Sequence, residues 1–216
     1  MGFEDLSVKD FVGELSSKAP VPGGGGAAAL VGALGAALGG MVGNLTLGKK
    51  KFADVQGDVE AIIAKASVIR DDLLSLIQED ALVFEPLSRA YGLPKDTEER
   101  KRARETVLEA TLRDACDVPL RIMGKSLEAI SLHEELAEKG SRIAISDVGV
   151  GVQFCKAALS GASLNVYINT GLMGDHEYGG STNAKADVLL ESGTRRADAV
   201  YRKIETILRR PGGEAK

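Results

Sequence analysis

The stretch from Pro20 to Lys51 constrains the fold most, because it holds ten of the chain's 26 glycines and no charge from Ala27 to Leu47. Pro20, Pro22 and the run Gly23 to Gly26 predict a loop, and the uncharged segment after it predicts a buried helix. Ala28, Gly32, Gly35, Gly39 and Gly43 step by three or four, so they share one helix face and form a groove that admits another backbone. Each interior glycine costs roughly 1 kcal/mol of helix propensity against alanine, a cost that close packing must offset. Leu34, Leu38, Met41 and Leu45 mark a second apolar face, which predicts that other helices cover this one.

Small residues at four-residue spacing also occur in membrane helices. The segment is mostly glycine and alanine, includes Asn44 and Thr46, and belongs to a chain that is 27% charged. Those features favour a soluble core helix. A phosphate-binding loop is disfavoured as well, since Gly23 to Gly26 lack a Gly-Lys-Ser/Thr ending and a preceding strand.

At 216 residues with a net charge of -4, the chain is expected to form one domain over residues 1–216, with no general attraction to nucleic acid. The acidic start Met-Gly-Phe-Glu-Asp lacks the pattern of a secretory signal, so a cytoplasmic location is expected. Cys116 and Cys155 are isolated in sequence and read as buried thiols, with no disulfide and no metal.

Ser7 reads as the cap of a first helix to about Ser17, whose apolar side (Val8, Phe11, Val12, Leu15) would lie against the glycine helix. A long helical pattern follows from about Asp54 to Tyr91, kinked or divided at Pro86. Asp96 and Glu99 read as a capping box for a charged surface helix to about Ala115. Val118-Pro119 would start another helix to Lys139, with His133 exposed. Ser146 or Asp147 would cap a second central helix to about Ile168, carrying Asn165 and Asn169 toward the interior. Gly171 to Gly180, with His176, reads as a mobile loop, and Ser181 or Thr182 as the cap of a last helix through Leu208. Without any alternating strand pattern, the expected class is an all-α, single-domain helical bundle.

One residue interrupts this pattern. Ile62, Ala66, Ile69, Leu73, Ile77, Phe84, Leu87 and Tyr91 step by three or four except across a gap of seven, and Asp80 fills the gap. A carboxylate there is paired with a cation, hydrogen-bonded, protonated or open to a cleft, and periodicity alone leaves structural and catalytic roles both open. Asn165 and Asn169 either face the same interior as Asp80 or merely satisfy backbone groups.

Taken together, Pro22 to Gly26 with the small-residue helix, Asn44-Leu-Thr-Leu-Gly-Lys-Lys-Lys51, Glu79-Asp80 before Phe84, Gly92-Leu-Pro-Lys-Asp-Thr, Asp117-Val-Pro-Leu, Ile145-Ser-Asp-Val and Leu164-Asn-Val-Tyr-Ile-Asn169 resemble the cyclodeaminase/cyclohydrolase family of folate enzymes. The resemblance runs over nearly the whole chain. It implies an all-helical homodimer acting on one-carbon tetrahydrofolates, with Asp80 matching the catalytic aspartate of the family's cyclodeaminases. The run Asn44 to Lys51 is more similar to stand-alone methenyl-tetrahydrofolate cyclohydrolases, which ranks hydrolysis ahead of ammonia-releasing ring closure. On that basis Asp80 and Lys50 are the expected catalytic residues. Gly23, Gly24, Gly25, Gly26, Lys51, Asn165 and Asn169 are the expected substrate contacts, with no cofactor, no metal and no membrane. The segment Gly171 to Gly180 departs from the family pattern. A non-catalytic helical binding or scaffold protein, dimerising through the glycine groove and the last helix, is the alternative from another class.

Overall fold

The computed structural model describes residues 2–210, and among them every regular element is helical. Six α-helices follow in order: α1 (Val8–Leu15), α2 (Gly24–Thr46), α3 (Gln56–Tyr91), α4 (Glu98–Lys139), α5 (Ile145–Thr170) and α6 (His176–Leu208). Helix α2 lies against α3, α4 and α5, while α5 also packs on α4 and α6. The expected helical bundle is therefore present, with α2 and α5 at its centre.

The glycine face of α2 receives the backbone of α5 in the same chain. A Cβ placed on Gly35 would lie 2.5 Å from Cys155 Sγ and 2.9 Å from the Gly151 carbonyl oxygen, and one on Gly32 would lie 3.2 Å from Ala158 Cβ. These pairs run α2 and α5 antiparallel. The groove is thus filled from within the chain, which removes it as a dimerisation surface. Leu34, Met41 and Leu45, expected to be covered, are instead exposed.

Several boundaries differ from expectation. Helix α4 continues through Pro119, where a new helix was expected to start, and of the two outcomes expected at Pro86 division of α3 does not occur. Pro119 has no N–H for the Ala115 carbonyl one turn back, and Asn169 Nδ2 donates to that carbonyl at 2.9 Å instead. Thr97, not Asp96, caps α4 by accepting from the Arg100 N–H. Helix α5 starts at Ile145 with no side-chain cap, ahead of Ser146. Helix α6 starts at His176 because Asp175 Oδ1 accepts from the Tyr178 N–H at 2.9 Å. The expected mobile loop shrinks accordingly and is pinned to α4. Arg113 Nη2 donates to Asp175 Oδ2 at 2.6 Å, and Glu109 Oε2 accepts from the Gly174 N–H at 2.8 Å. Ser7 caps α1 as expected, yet only Phe11 of its apolar side is buried, with Val8, Val12 and Leu15 exposed.

His133, read from its Glu-rich surroundings as exposed, is fully buried. It occupies the space left by Gly39 and Gly151, and its Nε2 donates to the Gly35 carbonyl at 3.0 Å. Burial pushes its pKa down to about 4, against a weaker upward pull from that hydrogen bond. The unfolded chain binds this proton near the ordinary histidine pKa of about 6.5. The stability is therefore fully present above that value and is lost as pH falls toward 4. Between pH 7 and 4.5 the expected loss is about 2–3 kcal/mol. Urea midpoints should show it, and His133→Gln should shrink the difference between the two pH values.

By length and composition, α2 and the segment Arg142–Thr170 are each apolar enough to cross a membrane, and 56% and 50% of their most apolar windows are buried inside the bundle. Cys116 and Cys155 are free and buried, and burial pushes their thiols up to about 11 and about 12.

Candidate active site

Asp80 stands on α3 between the buried Ile77 and Leu87, on the core-facing stripe where its spacing put it. It points at the first turn of α2. Its Oδ2 accepts from the Gly26 N–H at 2.9 Å, so the carboxylate caps a helix whose N-cap residue, Gly23, has no side chain to do so. Of the Gly23 to Gly26 stretch expected to contact substrate, the Gly26 N–H is thus taken by the protein's own carboxylate. Burial raises the Asp80 pKa, and the Gly26 hydrogen bond opposes that rise. Asp80 takes part in no ion pair among the described residues, whereas neighbouring Glu79 turns aside to a two-pronged pair with Arg121 on α4.

Asn165 reaches the same place from α5. A Cβ on Gly24 would lie 3.6 Å from Asn165 Oδ1, and the amide nitrogen donates to the Gly161 carbonyl at 3.1 Å. Asp80, Gly24 to Gly26 and Asn165 thus converge. Asn169 stands one turn further along α5, and its amide nitrogen donates to the carbonyl that Pro119 leaves open.

The lysines do not join this group. Lys49 to Lys51 follow the C-terminal end of α2, where Lys49 Nζ donates to Ser141 Oγ at 3.0 Å. A helix of 23 residues separates them from Asp80, about 34 Å at the usual rise. Lys50 and Lys51 therefore stand at the far end of α2 from Asp80 in this chain.

A cluster that sequence reasoning passed over lies on α4 and the start of α6. Arg113 bridges Glu109 and Asp175, and its guanidinium carbon sits 4.3 Å from the centre of the Tyr178 ring. The Glu109–Arg113 spacing of four was a visible helical ion pair, but nothing local indicated its partner 62 residues away. Among the described residues, no group of three His, Cys, Asp or Glu side chains is placed to hold a metal ion.

A family model described as formiminotransferase-cyclodeaminase matches residues 7–188 of this chain. The chain belongs to that family. Among its relatives is the protein named methenyltetrahydrofolate cyclohydrolase from Methylorubrum extorquens, 40% identical over 200 residues, which are 93% of this chain and 96% of the relative. Another, the mouse protein named formimidoyltransferase-cyclodeaminase, is 33% identical over 201 residues. Those residues are 93% of this chain but only 37% of the mouse protein, so this member of the family spans little more than a third of that relative's length. Among solved structures, the fold is similar to a formiminotetrahydrofolate cyclodeaminase from Thermotoga maritima, with a TM-score of 0.78, 28% identity, and coverage of 94% of this chain and 96% of that one.

Proposed function

We propose that this family member hydrolyses 5,10-methenyl-tetrahydrofolate to 10-formyl-tetrahydrofolate, with Asp80 as general base and then general acid. The observation that carries the reading is a desolvated carboxylate, with no cationic partner among the described residues, held by one backbone amide beside Asn165. The similarity to a cyclohydrolase over nearly the full length of both chains supports the choice of reaction.

The methenyl bridge is a cationic amidinium carbon. Asp80 takes a proton from water as the oxygen bonds to that carbon. It returns the proton to the ring nitrogen as the carbon–nitrogen bond breaks, and the hydroxyl proton leaves as the formyl carbonyl forms. Until it takes that proton, the negative charge of Asp80 stabilises the cationic substrate. Water is the only co-reactant in this sequence, and the proposal includes no metal and no redox or organic cofactor. Asn165 is assigned to the pterin or the bridge.

The likeness to cyclodeaminases favours a second reading, in which Asp80 protonates the departing ammonia of 5-formimino-tetrahydrofolate during ring closure. The methenyl chromophore separates the two reactions. Purified protein without added metal or nucleotide should bleach it, and a rise from formimino substrate with no loss of methenyl substrate would reverse the order. Silence toward both would favour a scaffold.

The proposal extends to a cytoplasmic homodimer that does not engage membranes or nucleic acid. Val150, Ala157 and Leu164 recur every seven residues along α5, and Ile143 stands seven residues earlier in the 3-10 turn that precedes it, all exposed. Exposed Leu34, Met41 and Leu45 lie on the neighbouring α2, opposite Gly39, which faces α4. An apolar face over the two central helices suits a second copy with two-fold symmetry. Light scattering should report a dimer, and Leu164→Glu should shift it to monomer. A wild-type dimer that keeps its dissociation constant in Leu164→Glu would place the interface elsewhere.

A further inference from the structure

We infer that Gly25 is a positioning residue for Asp80: the side chain it lacks leaves the slot that the Asp80 carboxylate fills. A Cβ built on Gly25 would lie 2.2 Å from Asp80 Oδ1, 2.6 Å from its Cγ and 2.6 Å from its Oδ2, and these are its three nearest atoms. The backbone does not call for glycine here. Gly25 is the second residue of α2, and the only glycine with positive φ among the described residues is Gly48. Helix propensity alone favours alanine by roughly 1 kcal/mol. What excludes alanine is the carboxylate.

The obstructing atoms also decide the outcome of a substitution. At Gly35 the nearest atoms include the Gly151 and Cys155 backbone, which cannot move without parting two helices. At Gly25 they are the tip of a side chain that can rotate about its own bonds. A methyl group there displaces the Asp80 carboxylate, breaks its 2.9 Å hydrogen bond to the Gly26 N–H and spares the bundle. Gly26 differs again, since its Cβ would meet Ile77 Cγ2 and Pro22 Cβ at an ordinary 3.6 Å. The slot therefore belongs to Gly25, while Gly26 supplies the hydrogen bond.

The catalytic part of this inference rests on Asp80 being the base, and the experiment keeps the two apart. Gly25→Ala, Asp80→Asn and the double variant are compared with wild type in kcat, melting temperature and the pH dependence of the Gly26 amide proton shift. Gly57→Ala, on a helical glycine with no atom within 4 Å of its built Cβ, measures the effect of the methyl alone. In wild type the Gly26 amide should titrate with Asp80. Gly25→Ala should abolish that titration, lower kcat about tenfold or more and leave the melting temperature within a few degrees. In the double variant, Gly25→Ala should add nothing to the loss from Asp80→Asn. An unchanged Gly26 titration, a melting temperature lowered as far as by Gly35→Ala, or rate losses that multiply in the double variant would each overturn the inference. Full activity in Asp80→Asn together with a lost Gly26 titration in Gly25→Ala would remove Asp80 from the chemistry and leave the positioning intact.

Discussion

Asp80→Asn should lower turnover about 100-fold or more with little change in folate affinity, the scale expected when a positioned acid-base group loses its proton chemistry. The substitution keeps the size of the side chain, and its amide oxygen can still accept from the Gly26 N–H. Its effect on stability has a definite sign. Because burial raises the Asp80 pKa, the ionised form is disfavoured in the folded chain relative to the unfolded one. Above that raised pKa the charge opposes folding, and the opposition disappears as pH falls and the group takes up its proton. The uncharged amide should therefore leave the melting temperature at pH 7 unchanged or raise it. A carboxylate tied to a buried cation would behave differently, its loss costing about 3 kcal/mol or more, but no such cation faces Asp80 among the described residues. Rate, folate affinity and melting temperature measured on one preparation check the prediction, and a variant with wild-type turnover would end the assignment of Asp80 as base.

Gly35→Ala should be the most damaging single methyl on α2, because that methyl meets Cys155 Sγ, the Gly151 carbonyl and the Cys155 amide together. Overpacking against backbone costs about 1–3 kcal/mol, from which the helix-propensity gain of alanine subtracts at most about 1. The larger value is expected because two helix backbones must separate. In a domain of this size, the net of about 2–3 kcal/mol lowers the melting temperature by about 4–12 °C. Gly39→Ala provides the contrast, since its methyl would sit 3.5 Å or more from His133 and Leu136. Thermal melts of the two variants should differ in this order, and equal melting temperatures would mean that α2 and α5 are not in backbone contact at Gly35.

The helical class and the central place of α2 and α5 were legible because apolar spacing is a local signal that survives in any single stretch. Asp80 was legible for the same reason, as the one polar residue on a periodic stripe. What escaped was pairing between distant segments. His133 looks like part of a solvated Glu-rich turn until Gly39 and Gly151, far away in sequence, leave room for its ring. The start of α6 was misplaced because Asp175 becomes a cap only when Arg113 and Glu109 hold it, and Gly179-Gly180 read locally as loop. Lys50 was grouped with Asp80 because the sequence does not say that Asp80 packs against the opposite end of α2. The predicted helix start at Pro119 failed for a related reason. A proline removes one donor and crowds one carbonyl, and surrounding helices can absorb both when they supply a substitute.

At Pro119 that substitute is Asn169, and the exchange ties the history of two positions together. A lineage that replaces Asn169 while keeping Pro119 strands the Ala115 carbonyl at a helix crossing, and the loss of a part-buried hydrogen bond is felt at once. A lineage that first replaces Pro119 with an ordinary residue restores the N–H to α4 and releases the amide of Asn169 for other use. The order of substitution therefore matters, the second change being tolerated only after the first. Positions 119 and 169 should drift as a pair, with proline and asparagine kept together or abandoned together.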